Sequence, residues 1–98
     1  MRHFLLFYDY APNFLELRPA LRPAHLEHAN AAAGRGELEL AGALQGEATG
    51  VFLFKSETPA AAEAFALADP YVTNGMVRSW RVREWTTVVG AGALTQLP

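Results

Sequence analysis

The chain has 98 residues, 51% of them apolar, with eight Lys and Arg, ten Asp and Glu, and no cysteine. That length suits a single domain, residues 1–98, and that balance belongs to a globular body rather than a disordered one. The net charge of −2 gives no basic footprint for nucleic acid, disulfides and thiolate chemistry are excluded, and any metal must use histidine and carboxylates.

Two Trp, three Tyr and six Phe are a large apolar area for so small a body. A short chain leaves much of its surface exposed when folded alone, so part of that area is expected to meet a second copy in a homodimer.

The first element is "RHFLLFYDY", residues 2–10, an apolar run whose length and aromatic content suit a buried strand. It is far too short to span a bilayer, and "DYAPN" follows it without a small-residue cleavage site, so no membrane partner and no signal peptide are expected and the default location is cytoplasmic. "APN" breaks the strand, and residues 13–18 read as a short helical turn opened by Asn13. Proline is tolerated in a helix's first turn but not its interior, so Pro19 and Pro23 place the start of the main helix at 19–23 and its end near 33. Gly34 is suited to a left-handed C-cap. On 3.6-residue spacing Leu21, His25, His28 and Ala32 share the face expected to pack inward.

"ELELAGAL", residues 37–44, alternates as a half-buried strand, with Leu38 and Leu40 on one side and Glu37 and Glu39 on the other. "QGEATG" is a turn, and "VFLFKS", residues 51–56, completes an antiparallel hairpin. A second helix opens with Thr58 as N-cap and Pro59 as N1 and runs to residue 67 or 68. "DPYVTNG" reads as a loop and "MVRSWRVREW", residues 76–85, as a strand with Trp80 and Val82 on one face. Residues 87–98 form a C-terminal extension that would add an edge strand or reach a partner chain. The order βαββαβ is the ferredoxin-like α+β arrangement, one antiparallel sheet with two helices on one face.

His25 sits on the inward helix face, where a partly buried imidazole can move a proton in either direction. To act so it needs a carboxylate to hold its tautomer, and Asp9 and Asp69 are the candidates; the alternative is a core histidine bonded to backbone. Asp69 equally suits a turn opener, since "DP" after a helix lets the carboxylate accept nearby N–H groups. His28 belongs at the edge of the same face, and His3 begins a strand as a structural or exposed residue. A metal at His25 and His28 with Glu27 or Asp9 would have two histidines at i, i+3, fewer protein ligands than a catalytic zinc site commonly uses, and none is predicted. Arg22, one turn before His25, can present a guanidinium to a carboxylate or remain a solvated first-turn cation. Arg81 and Arg83 share a face of the last strand and Arg78 takes the other, as an anion stripe or an edge-strand solubility device. The sequence has no phosphate loop, dinucleotide glycine pattern or nucleophile elbow, and no cofactor is predicted.

"RPAHLEH", "GELELAGAL", "TGVFLFKSETPAAAEAFALADPYVTNGMV" and "SWRVREW" together resemble the YCII-related (YciI-like) family over residues 2–86. The Arg-x-x-His-Leu of the first helix and the Asp-Pro-Tyr after the second carry most of the resemblance. It implies a ferredoxin-like subunit pairing into a dimeric α+β barrel, with a cleft holding a His–Asp pair, here His25 and Asp69, and Arg22 as the preceding arginine. Some relatives are linked to isomerase-like or dehydrohalogenase-like lyase chemistry on muconate-type acids, which implies proton transfer on a small anionic acid. The chain departs from the family where "AGALQGEATG" keeps Ala43 and Leu44 instead of a Gly-Pro break, at the mouth of the implied cleft. A non-catalytic ligand-binding or accessory dimer would use the same scaffold, and a haem- or metal-using barrel subunit is a third alternative.

Overall fold

Burial alternates along strand β1 (Arg2–Tyr10): Phe4, Leu6 and Tyr8 are buried toward the helices, while Leu5, Phe7 and Asp9 take the opposite face. The structure, a computed structural model, describes residues 1–95. After β1 come α1 (Phe14–Gly34), β2 (Leu38–Ala43), β3 (Thr49–Ser56), α2 (Ala60–Ala68), α3 (Pro70–Thr73) and β4 (Val77–Trp85). The four strands form one antiparallel sheet in the order β2-β3-β1-β4. This is the expected ferredoxin-like α+β architecture, with the short α3 added.

The inner face of the sheet supplies Phe4, Leu6, Tyr8, Phe52 and Phe54 to one cluster, and the helices close it with Ala29, Ala32, Ala62, Phe65 and Ala66. Small residues on the helices let them approach the aromatic sheet closely. Phe52 and Phe65, with ring centroids 5.3 Å apart, mark where α2 meets β3.

Several local expectations are corrected. Helix α1 runs unbroken through Pro19 and Pro23, instead of starting there after a separate turn at 13–18. Each proline forfeits one backbone bond, but both are exposed, and Phe14, Leu17 and Leu21 before Pro23 and Ala29 and Ala32 after it pack on the core, so tertiary burial carries the helix through. The left-handed residue after α1 is Gly36, at φ 79°, rather than Gly34. Leu38 and Leu40 do not share a face: a register shift between them pairs Leu38 with Phe54 and Leu40 with Leu53, which turns Leu40 outward. "DPYVTNG" is not all loop, because Pro70–Thr73 form a helical turn after Asp69.

The second helix opens one residue later than expected, with Pro59 rather than Thr58 at the N-cap position and no side-chain cap bond, while the Thr58 Oγ1 just before it accepts the Ala60 N–H at 3.2 Å. Beyond β4, residues 86–95 add no strand. They fold back on themselves: Thr87 accepts the Thr95 N–H through its carbonyl and the Leu94 N–H through Oγ1, and the same Oγ1 is 2.8 Å from His3 Nδ1. The rest of the extension, residues 96–98, lies outside the described residues.

Candidate active site

Three elements meet around one carboxylate. Asp69 follows α2 and caps α3, accepting the Tyr71 N–H at 3.0 Å, with Pro70 pre-set for the first helical position. Tyr8 of β1 donates its hydroxyl to the same carboxylate at 2.7 Å. His25 of α1 places Nδ1 2.9 Å from both carboxylate oxygens. Asp69 is 0% exposed. A buried carboxylate is costly unless donors surround it, and these three donors meet that requirement.

The network fixes the protonation pattern. An ionised carboxylate only accepts, so in the neutral imidazole the Asp69 contact selects the tautomer with its proton on Nδ1 and leaves Nε2 as an acceptor. Nδ1 is taken by Asp69, and no buried side-chain nitrogen among the described residues lacks a partner, so Nε2 reaches the open side of the ring. The Tyr71 ring stacks on the imidazole with centroids 3.8 Å apart and planes 7° apart, and Phe52 meets it edge-on at 6.0 Å. These contacts restrict ring rotation.

The phenols are held neutral. Burial, then the Asp69 charge and its hydrogen bond, push the Tyr8 hydroxyl far above the ordinary tyrosine range. Tyr10 is pushed up to about 12, chiefly by burial, with Tyr71 and Asp69 adding to the rise and Arg18 opposing it. Burial raises Tyr71 too, while Arg22 and Arg18 pull it back. Tyr8 is therefore a permanent donor to Asp69 across the working pH range.

His25 opens onto a cavity of about 450 Å³ between α1 and the β2–β3 hairpin. Tyr10, Phe14, Arg18, Arg22 and Tyr71 line it with the imidazole, and hairpin residues 41–47 form the facing wall. That volume is within the range of small-ligand sites.

Of the residues singled out from sequence, the fold brings His25 and Asp69 together and sets Arg22 on the cavity wall. Asp9 is turned to the opposite face of the sheet, where Ser79 Oγ and the Arg81 guanidinium reach its Oδ2 at 3.2 and 3.4 Å. His28 points elsewhere: its Nε2 is 2.9 Å from the Phe65 carbonyl and its ring stacks on Phe65, which ties α1 to α2. His25 and His28 thus do not converge, and no group of three His, Asp or Glu among the described residues is arranged to hold a metal ion. Tyr8, Tyr71 and Arg18 were not anticipated. Tyr8 had a signal, since it continues the inward Phe4–Leu6 alternation and a buried phenol needs a partner. Arg18 lies seven residues before His25 on the stripe that Arg22 occupies.

The sequence profile of the YCII-related domain matches residues 1–86. The chain belongs to the YCII-related family. No functionally curated protein matches it in sequence. Its fold is similar to that of 5-chloro-2-hydroxyhydroquinone dehydrochlorinase from Burkholderia phenoliruptrix AC1100, determined in complex with 2,5-dihydroxybenzoquinone. The TM-score is 0.75 at 18% identity, over 87% of this chain and 94% of that one. An antibiotic biosynthesis monooxygenase has a similar fold at TM-score 0.61 and 12% identity, over 91% of this chain and 100% of that one. So does a NIPSNAP family protein from Agrobacterium tumefaciens str. C58, at TM-score 0.57 and 8% identity, over 96% and 97% of the two chains. At these identities the likeness is one of fold. Arg22, His25 and Asp69 all lie inside the span that the YCII-related profile matches.

Proposed function

We propose that this YCII-related chain is a small cytoplasmic enzyme of the lyase or isomerase type, moving a proton at a carbon next to a carbonyl in a small anionic acid. The proposal rests on one observation: His25 Nδ1 is held at 2.9 Å by a fully buried carboxylate while the other ring nitrogen is open to a cavity. That is the geometry of a general base with a fixed tautomer. Nε2 takes the proton, and the C–H electron pair becomes the double bond of an enolate whose oxygen carries the charge. Asp69 stays anionic and stabilises the imidazolium, and Arg22 holds the substrate's acid group. In an isomerisation the imidazolium returns the proton to a more distant carbon of the conjugated system. In an elimination the enolate expels a leaving group with its electron pair from the neighbouring carbon, the carbonyl re-forms beside a new double bond, and the imidazolium passes its proton to water. A dehydrochlorinase with a similar fold supports the second branch.

The proposal includes a homodimer. On the sheet face away from the helices, Leu5, Leu40, Val51, Leu53 and Trp85 line an apolar hollow. Leu40 is 70% and Trp85 48% exposed. Contiguous apolar surface of this kind is the mark of an interface.

Deuterium exchange followed by proton NMR in D₂O tests the chemistry, because both branches begin with the same loss of a carbon-bound proton. A panel of enolisable carboxylic acids and hydroxyquinones is incubated with the protein. Wild type should exchange the carbon-bound proton of at least one member, and His25→Ala should lose that activity by about 10²–10⁴-fold while remaining folded. No exchange by wild type, or equal exchange by the variant, would refute the proposal.

A further inference from the structure

Eight side chains carry a Lys or Arg charge. Five are tied down: Arg2, Arg35, Lys55, Arg81 and Arg83 each reach a carboxylate or a backbone carbonyl. Three make no ion pair or hydrogen bond among the described residues, and two of those three, Arg18 and Arg22, line the same cavity. Unpaired guanidinia gathered on one wall of a concave site are what an anionic ligand requires. We propose that Arg18 and Arg22 form a two-point clamp for a flat acid carrying two anionic groups, one at each guanidinium, with the reacting carbon turned to His25. This deepens the function proposed above and rests on it for the identity of the reacting group.

The spacing sets the order along the wall. Residues 18, 22 and 25 stand at i, i+4 and i+7, one stripe of α1, with successive members a helical turn apart. Arg22 is thus next to the imidazole and Arg18 one turn further out, beside the Phe14 ring at 5.9 Å. Two cations at two depths suit two separated anions better than one. Arg22 and Arg18 each oppose the rise of the Tyr71 phenol, and Arg18 that of Tyr10. The one carboxylate in the lining, Glu47, belongs to the opposite wall on the hairpin and is outnumbered by the two cations.

The walls favour a planar body. Tyr10 and Phe14 stack with centroids 5.0 Å apart and planes 13° apart, and Tyr71 and His25 form a second stacked pair. Flat faces of this kind accept a conjugated ring or diene edge-to-face or in offset stacks.

Inert probes separate binding from chemistry. Isophthalate is planar with two carboxylates, benzoate is planar with one, and cyclohexane-1,3-dicarboxylate has two on a puckered ring. None is expected to react, so affinity is read directly by titration calorimetry and by amide shifts of labelled protein. At low salt, wild type should bind isophthalate about tenfold or more tightly than benzoate, the value of one added charge-assisted contact. It should also prefer isophthalate to the cyclohexane diacid. Arg18→Gln should bring the isophthalate-to-benzoate ratio close to unity while leaving benzoate affinity nearly unchanged, with thermal melting confirming the fold. An unchanged ratio in Arg18→Gln, equal binding of the two aromatic acids by wild type, or no binding of either overturns the clamp. His25→Ala should keep its isophthalate affinity, so a failure of the proton-transfer proposal shows as no exchange by wild type, or equal exchange by His25→Ala, with probe binding intact in both.

Discussion

Replacing Asp69 with asparagine tests the site with almost no change of volume. The carboxylate accepts three bonds, from Tyr8, His25 and the Tyr71 N–H, in a place with no solvent. Asparagine keeps one acceptor oxygen and replaces the other with a donor NH₂, so at least one of the three donors meets a donor. His25 can relieve the conflict by moving its proton to Nε2 and accepting from the new amide through Nδ1. That exchange leaves no base facing the cavity, and turnover should fall by about 10²–10⁴-fold. The lost charge assistance and the weakened third bond should lower stability by about 2–4 kcal/mol. Nitrogen-15 NMR of the imidazole reads which nitrogen is protonated, deuterium exchange reads turnover, and thermal unfolding reads stability. If Asp69→Asn keeps the proton on Nδ1 and retains wild-type exchange, the carboxylate does not fix the tautomer and the mechanism is wrong.

Gly50 lies on β3 where an added Cβ would stand 2.5 Å from the Tyr10 hydroxyl and 3.2 Å from the ring carbon bearing it. Gly50→Ala should therefore cost about 1–3 kcal/mol, and Tyr10→Phe in the same chain should return much of it; additive effects in chemical denaturation would show that the contact is not the cause. At high pH the folded state holds Tyr10 neutral to about 12, and Tyr8 beyond that, whereas an unfolded tyrosine ionises near 10. Their stabilisation is complete below pH 10 and declines as pH rises from there, levelling off for Tyr10 near 12 while Tyr8 continues to lose. Melting temperature should drop across that interval, and less steeply in Tyr10→Phe. Leu40→Glu, at an exposed outward position, should convert the proposed dimer to a monomer in light scattering without lowering the helix signal; an unchanged dimer mass would place the interface elsewhere, and a monomeric wild type would refute the dimer.

The sheet and its two main helices were legible because period-2 and period-3.6 patterns are local. "RHFLLFYDY" announces which β1 residues face inward, and Thr58-Pro59 announces a helix start. The His25–Asp69 pair was legible only through the family resemblance carried by the motifs around each residue, since 44 positions separate them in the chain. What escaped were features set by tertiary packing. Proline rules alone divide α1 at residues 19–23, yet core contacts on both sides outweigh two lost backbone bonds. The bulge that turns Leu40 outward depends on β3, not on β2's own alternation. Asp9 and Asp69 were equal partners for His25 by composition, and only the inward turn of Tyr8 shows that Asp9, its neighbour in the strand, must point away.

Asp69 does two jobs with one side chain: it starts α3 and it holds the imidazole. Folding and the proposed chemistry therefore share a component, and a substitution there should disturb both at once. Melting curves of variants at Tyr8, Asp69 and Tyr71 thus report whether the His25–Asp69 pair is assembled before any substrate is in hand. A library selected for heat resistance alone would be enriched in chains that keep this assembly intact.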